Sequence, residues 1–206
     1  KMPALAEKCI ASWKKYLPDY EVKEWNESNL DLNSCEYIKE AYQAKKWAFV
    51  SDYARFWILY HEGGLYFDTD VEIINPLEKI IEQGPFIGCE EIRKKNGEKS
   101  LGANPGLGLG AIPGMNFYRE ILDYYENIHF SNENGIVETV VDHTTRLLER
   151  HGWIPDGKIQ KIEDICIYPS EYFGPYNYLT GKINITAHTV SVHHYAATWH
   201  SKLEEK

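Results

Sequence analysis

Nowhere does an apolar run approach the roughly 20 residues needed to cross a bilayer, so the sequence predicts no membrane span. The opening stretch, residues 1–15, carries too much charge for the apolar core of a signal peptide. Cysteine is sparse and scattered. Cys9, Cys35, Cys89 and Cys166 form no C-x-x-C pair and no short-domain disulfide framework, which reads as reduced thiols in a cytoplasmic protein. Attachment at a membrane periphery is then expected only through a partner. Basic clusters are equally few: Lys14-Lys15, Lys45-Lys46 and Arg93-Lys94-Lys95, against a formal net charge of −9. That balance excludes a nucleic-acid partner, which needs a basic footprint. Internal repeats, low-complexity tracts and long linkers are also missing.

What remains is a chain of 206 residues, 43% apolar and 14% aromatic, long enough for one domain over 1–206 with a substantial core. Aromatic faces suit sugar rings but are also ordinary core material, so the six Trp and fifteen Tyr decide nothing alone. Periodicity predicts a helix over 4–17 with Ile10, Trp13 and Leu17 on one side, a short strand over 20–25, and a helix over 35–48. Ser51 is a good N-cap, with Asp52 in the first turn where a negative charge suits the helix dipole. The helix it opens, residues 54–60, is apolar nearly all round and should be buried. Gly63-Gly64 supplies a C-terminal cap, and a strand over 65–67 runs into Asp68-Thr69-Asp70. Further strands are expected at 86–89, 107–112, 165–168 and 189–193, helices at 115–127 and 136–151, and a polar loop at 94–99. Alternating strands and helices indicate α/β with a mainly parallel sheet.

The chemistry concentrates at Asp68 and Asp70. In extended backbone, residues two apart point the same way, so the two carboxylates should project together. Like charges on one face stay ionised comfortably only with something positive between them. A hard divalent cation, Mg²⁺ or Mn²⁺, bridging to phosphate oxygens would provide it. Competing D-x-D chemistries fare worse. An EF-hand loop from Asp68 would need Gly and Glu where Ile73 and Lys79 stand. A haloacid-dehalogenase-like phosphatase normally has Thr or Val where Glu72 stands, and lacks its later Gly-Asp motif here. Residues 106–111, GLGLGA, mimic a dinucleotide loop, but Pro113-Gly114 intervene before any helix; small residues admitting a close approach are the milder account. Near the C-terminus, His193 and His194 face opposite sides if extended, so one of them at most should join a given site. A neutral imidazole there could complete a metal site or touch a phosphate.

The blocks SDYAR (51–55), GGLYFDTD (63–70) and HHYAATW (193–199) together resemble glycosyltransferase family 32, and IYPSEYFGP (167–175) is similar to the family's approach to its last strands. This family includes fungal initiating mannosyltransferases and bacterial capsule and lipopolysaccharide sugar transferases. The resemblance implies a GT-A-type nucleotide-sugar-binding fold with a mixed, mainly parallel sheet. It implies metal-dependent, retaining transfer from a nucleoside-diphosphate sugar to a glycan or lipid-linked acceptor in surface polysaccharide synthesis, with Mn²⁺ or Mg²⁺ as cofactor. Asp70 would hold the metal directly, and Asp68 would contact the ribose and the metal. Asp52 and Arg55 match the pair that contacts donor sugar and diphosphate. His193 or His194 would complete the metal or diphosphate site, with His193 preferred by its place in the motif. Trp199 would close over the diphosphate. Two departures stand out. The family usually opens with a strand of the form I-P-K-x-I-H-x-x-W, and this sequence begins just beyond it, so the sheet is expected without that first strand. Thr198 replaces the usual Ser before the Trp. A phosphatase, or a non-catalytic sugar-binding module indifferent to chelators, is the alternative.

Overall fold

The computed structural model describes residues 2–93, 97–130, 138–177 and 181–196. In chain order the elements are α1 (Ala4–Tyr16), α2 (Glu36–Gln43), α3 (Trp47–Glu62), β1 (Gly64–Tyr66), β2 (Val71–Ile73), α4 (Glu78–Ile81), β3 (Phe86–Arg93), β4 (Lys99–Ala103), β5 (Leu109–Ala111), α5 (Asn116–Glu126), α6 (Val140–Arg150), β6 (Gln160–Ile162), β7 (Ile165–Tyr168), α7 (Ser170–Phe173), β8 (Tyr176–Asn177), β9 (Lys182–Ile183) and β10 (Ser191–His193). Among the described residues no helix is long and apolar enough to cross a membrane. The chain divides into two compact units.

The first unit combines described residues of Lys1–Val22, Gly64–Ala111 and Thr139–His194. Its main sheet runs β1-β5-β3-β7-β6, with β4 also on β3; β2 and β10 form a second, two-stranded ladder, and β8 pairs with β9. This mixed α/β architecture is consistent with the expected GT-A-type fold. The balance of strand directions differs from expectation, however. Among the described residues only β3–β7 is parallel, and β1–β5, β3–β5, β3–β4 and β6–β7 are antiparallel. Short connections account for this, since a hairpin joins antiparallel strands in a few residues whereas a parallel pair needs a long crossover. Strands β3 and β4 flank the expected polar loop at 94–99, whose described residues Gly97 and Glu98 are in no strand while Lys99 opens β4. Their ladder registers Cys89 with Ala103 and Arg93 with Lys99, with Glu91 and Lys99 3.8 Å apart near its charged end. The core gathers Leu17, Phe67, Val71, Ile73, Leu77, Phe86, Leu107 and Phe173.

Glycine explains how this core closes. The segment 106–110, which superficially matches a dinucleotide loop, carries rings where side chains would be. A Cβ on Gly108 would stand 3.0 Å from both Phe173 and Phe67, and one on Gly110 would strike Phe86. Close approach, not phosphate binding, is what these glycines permit. Helix α6 starts four residues later than expected because Thr139 and Asp142 form a reciprocal capping box, the Asp142 N–H reaching Thr139 Oγ1 at 3.1 Å and the Thr139 N–H reaching Asp142 Oδ2 at 3.2 Å.

The second unit holds described residues of Lys23–Gly63 and Ile112–Glu138 with Tyr195 and Ala196. Helices α2, α3 and α5 pack around aromatic pairs, Tyr37–Tyr125 at 4.8 Å and Phe56–Tyr118 at 5.4 Å between ring centroids. Residues 20–25, expected as a strand, form none. Among the described residues no strand pairs with this stretch. Helix α3 begins at Trp47, so Ser51 is not its N-cap and Asp52 lies in its interior. Gly63 ends it with φ 67° and its N–H on the Leu59 carbonyl, as the cap requires.

Candidate metal centre

Asp68 and Asp70 do not come together by strand alternation. Strand β1 ends at Tyr66, and the two carboxylates sit on a turn leading into β2, closed by the Val71 N–H on the Asp68 carbonyl at 2.9 Å. The Asp68 N–H in turn donates to the Gly106 carbonyl at 2.9 Å. Strand β10 then runs antiparallel to β2 with His193 opposite Val71, and the His194 N–H extends the ladder to the Asp70 carbonyl at 3.0 Å. This register delivers the His193 ring to the turn: its Nε2 lies 3.0 Å from Asp70 Oδ1. One ligand atom from each of Asp68, Asp70 and His193 falls within 4.8 Å of the others. All three are half-buried, so the group is reachable from solvent yet held.

The donor set fits a divalent cation. Two carboxylates bring two negative charges to one small volume, and an imidazole nitrogen supplies a third, neutral ligand. Carboxylate suits Mg²⁺ and Mn²⁺ alike, and imidazole nitrogen is an ordinary ligand of transition metals.

His194 does not join this group. Its Nε2 lies 2.9 Å from Glu72 Oε2, and Lys8 Nζ meets the same oxygen at 2.7 Å. The expected choice between the two histidines therefore falls to His193, with its neighbour directed away by the alternation of an extended chain. Burial alone would raise the Glu72 carboxyl, but hydrogen bonds from Lys8 and His194 outweigh it and hold that group below the ordinary carboxylate range.

Three neighbours escaped sequence reasoning. Tyr66, two residues before Asp68, donates its hydroxyl to Asp68 Oδ1 at 2.8 Å. Gly106 lies directly beneath that carboxylate: a Cβ there would collide with Asp68 Oδ2 and stand 3.1 Å from Asn104 Oδ1. Asn104, itself buried, accepts the Gly106 N–H at 2.8 Å and so holds the loop in place. Only Tyr66 had a sequence signal, its even spacing from the two aspartates.

In the second unit, Asp52 and Arg55 form a buried pair on α3. Arg55 Nη2 lies 2.9 Å from Asp52 Oδ1, with the side chains 5% and 12% exposed respectively. The guanidinium is oriented by Ser51, through its carbonyl to Nε and its Oγ to Nη2, both at 3.1 Å. Trp199 lies outside the described residues.

No curated protein matches the chain. Residues 3–87, which carry Asp52, Arg55, Asp68 and Asp70, do match the family described as the glycosyltransferase sugar-binding region containing the DXD motif, and this likeness supports a glycosyltransferase-type function.

Proposed function

We propose that the chain is a metal-dependent, retaining glycosyltransferase that takes its sugar from a nucleoside-diphosphate donor and passes it to a glycan or lipid-linked acceptor in surface polysaccharide synthesis. The observation that carries this reading is the convergence of Asp68, Asp70 and His193 within 4.8 Å, the two aspartates lying inside the segment that matches a sugar-binding family.

A divalent cation held by these three residues would neutralise the diphosphate as it leaves the anomeric carbon. The residues of the chain do the rest. Asp70 would be the principal ligand, its backbone carbonyl held by the His194 N–H. Asp68, oriented by Tyr66, would contact the metal and the donor ribose. Asp52 and Arg55 are the residues that the resemblance assigns to the donor sugar and diphosphate. Among the described residues no carboxylate nucleophile stands out, so the acceptor hydroxyl would attack from the face that the diphosphate leaves, its proton passing to the departing phosphate oxygen.

Thermal unfolding with UDP- and GDP-sugars, each with Mn²⁺ and then with excess EDTA, tests the reading. A ligand at about 100 times its Kd stabilises the fold by roughly 2.7 kcal/mol. A shift for one nucleotide sugar that EDTA abolishes is the expected result. Unfolding that no nucleotide sugar alters, or that is altered equally in EDTA, refutes it.

A further inference from the structure

Strand β2 has two edges. One forms the ladder with β10; the other is covered by side chains of α1 instead of by a strand. Trp13 Nε1 donates to the Val71 carbonyl at 2.7 Å, and the Ile73 N–H donates to Ser12 Oγ at 2.9 Å. Lys8, one helical turn before Ser12, reaches Glu72 Oε2 at 2.7 Å. Val71 and Ile73 are almost wholly buried, at 0% and 1% exposure, so their backbone groups need these partners. The Trp13 ring also packs against Phe67, with centroids 5.9 Å apart. A single side chain thus holds both flanks of the Asp68–Asp70 turn, Phe67 before it and Val71 after it.

Resting on the metal reading above, we propose that Trp13 and Ser12 are positioning residues for the metal centre: α1 sets the separation of the Asp68 and Asp70 carboxylates and keeps Asp70 facing His193. Neither residue touches the cation. The indole N–H anchors the carbonyl immediately after Asp70, and the Ser12 hydroxyl anchors the next outward-facing N–H of β2, so the turn is gripped from behind while β10 grips it from the front. Loosening the rear grip lets the two carboxylates drift relative to the imidazole.

The test is Mn²⁺ titration of the full chain, followed by the electron paramagnetic resonance signal of the free aqua ion, with thermal unfolding of each variant alongside. Asp70→Asn reports on the metal reading. Trp13→Phe removes the indole N–H while keeping an aromatic ring near Phe67, and Ser12→Ala removes the second anchor with little change in volume. Ile87→Val, a buried truncation elsewhere in the same unit, controls for general loss of stability. Trp13→Phe is expected to raise the Mn²⁺ Kd about tenfold, within the range for residues that orient metal ligands, and Ser12→Ala several-fold, while Ile87→Val leaves it unchanged. A parental Kd in both Trp13→Phe and Ser12→Ala overturns the inference, as does an equal rise in Ile87→Val. If the unaltered chain binds no Mn²⁺, the metal reading falls and this inference with it. If it binds and Asp70→Asn does not, that reading stands and the α1 variants judge the inference alone.

Discussion

Substituting Gly106 by alanine places one methyl group beneath Asp68, where a Cβ would collide with a carboxylate oxygen and also press on Asn104. The backbone itself raises no objection, because Gly106 is not among the glycines with positive φ. Reduced freedom of the unfolded chain should therefore contribute about 0.4–1 kcal/mol in favour of the variant. Against this, Asp68 must swing off its place and give up the Tyr66 hydroxyl. A hydrogen bond to a charged group contributes about 1.5–3 kcal/mol, part of which a half-buried carboxylate recovers from water. The expected net cost is about 1 kcal/mol, equivalent to roughly 2–4 °C in Tm for a chain of this size. Metal binding should suffer far more, because one of three ligands has been displaced: a loss on the order of 10- to 100-fold in Mn²⁺ affinity. Urea denaturation and Mn²⁺ titration on the same preparation separate the two effects. A variant with parental Mn²⁺ affinity would refute the argument that Asp68 is a ligand seated over Gly106.

Gly110→Ala should behave in the opposite way, since its Cβ meets the buried Phe86 ring instead of a ligand. We expect a loss of about 1–3 kcal/mol in denaturant, as for overpacked cores, with Mn²⁺ affinity per folded molecule unchanged. Arg55→Ala removes the guanidinium facing the buried Asp52 carboxylate and should cost about 3–5 kcal/mol by urea denaturation; Arg55→Lys, lacking the planar fork held by Ser51, should recover only part of that. The Glu72 carboxyl lies below its ordinary value, so its contribution to stability is complete above the unfolded value of about 4.3 and is lost as pH falls through the lower folded value. The stability difference between the parent chain and Glu72→Gln should accordingly be constant near neutrality and shrink on acidification below about pH 4.3. Of the four free cysteines, Cys9, Cys89 and Cys166 are buried, and burial, followed by the Glu72 and Asp70 carboxylates, pushes the Cys9 thiol up to about 11. Iodoacetamide at pH 8 should therefore label half-buried Cys35 first in the native protein; mass-spectrometric detection of Cys9 labelled at the same rate would contradict this packing.

The sequence disclosed the site more fully than it disclosed the sheet. Asp68 and Asp70 drew attention as paired carboxylates beside an apolar run, a contrast that survives in one dimension, whereas the preference for His193 over His194 came from the resemblance alone. Their relative placement was harder to foresee. A turn brings the aspartates together, where strand alternation had been expected to do so, because the extended run stops at Tyr66. Helix α3 began a turn too late in the sequence reading because Ser51 is a strong capping residue, yet its hydroxyl donates to the Ala48 carbonyl inside the helix and helps hold Arg55. The β3–β4 hairpin was hidden by its charged end, where the ladder leaves the core. Asn104 left no trace that single-sequence patterns could detect, and Trp13 and Gly106, legible only as part of an apolar helix side and of a small-residue run, gave no sign of the contacts they make with residues far away along the chain.

The pairing of β2 with β10 has a consequence for synthesis. Asp70 and His193 are separated by 123 positions, so the imidazole joins the carboxylates only after nearly the whole of this stretch has left the ribosome. Until then a nascent chain presents two aspartates and no third ligand, and its grip on a cation should be correspondingly weak. On the metal reading proposed above, acquisition of a cation would await completion of the first unit. A chain stalled before β10 emerges would be spared occupation of a half-built centre, and arrival of an ion would mark a molecule in which β2 and β10 have already met.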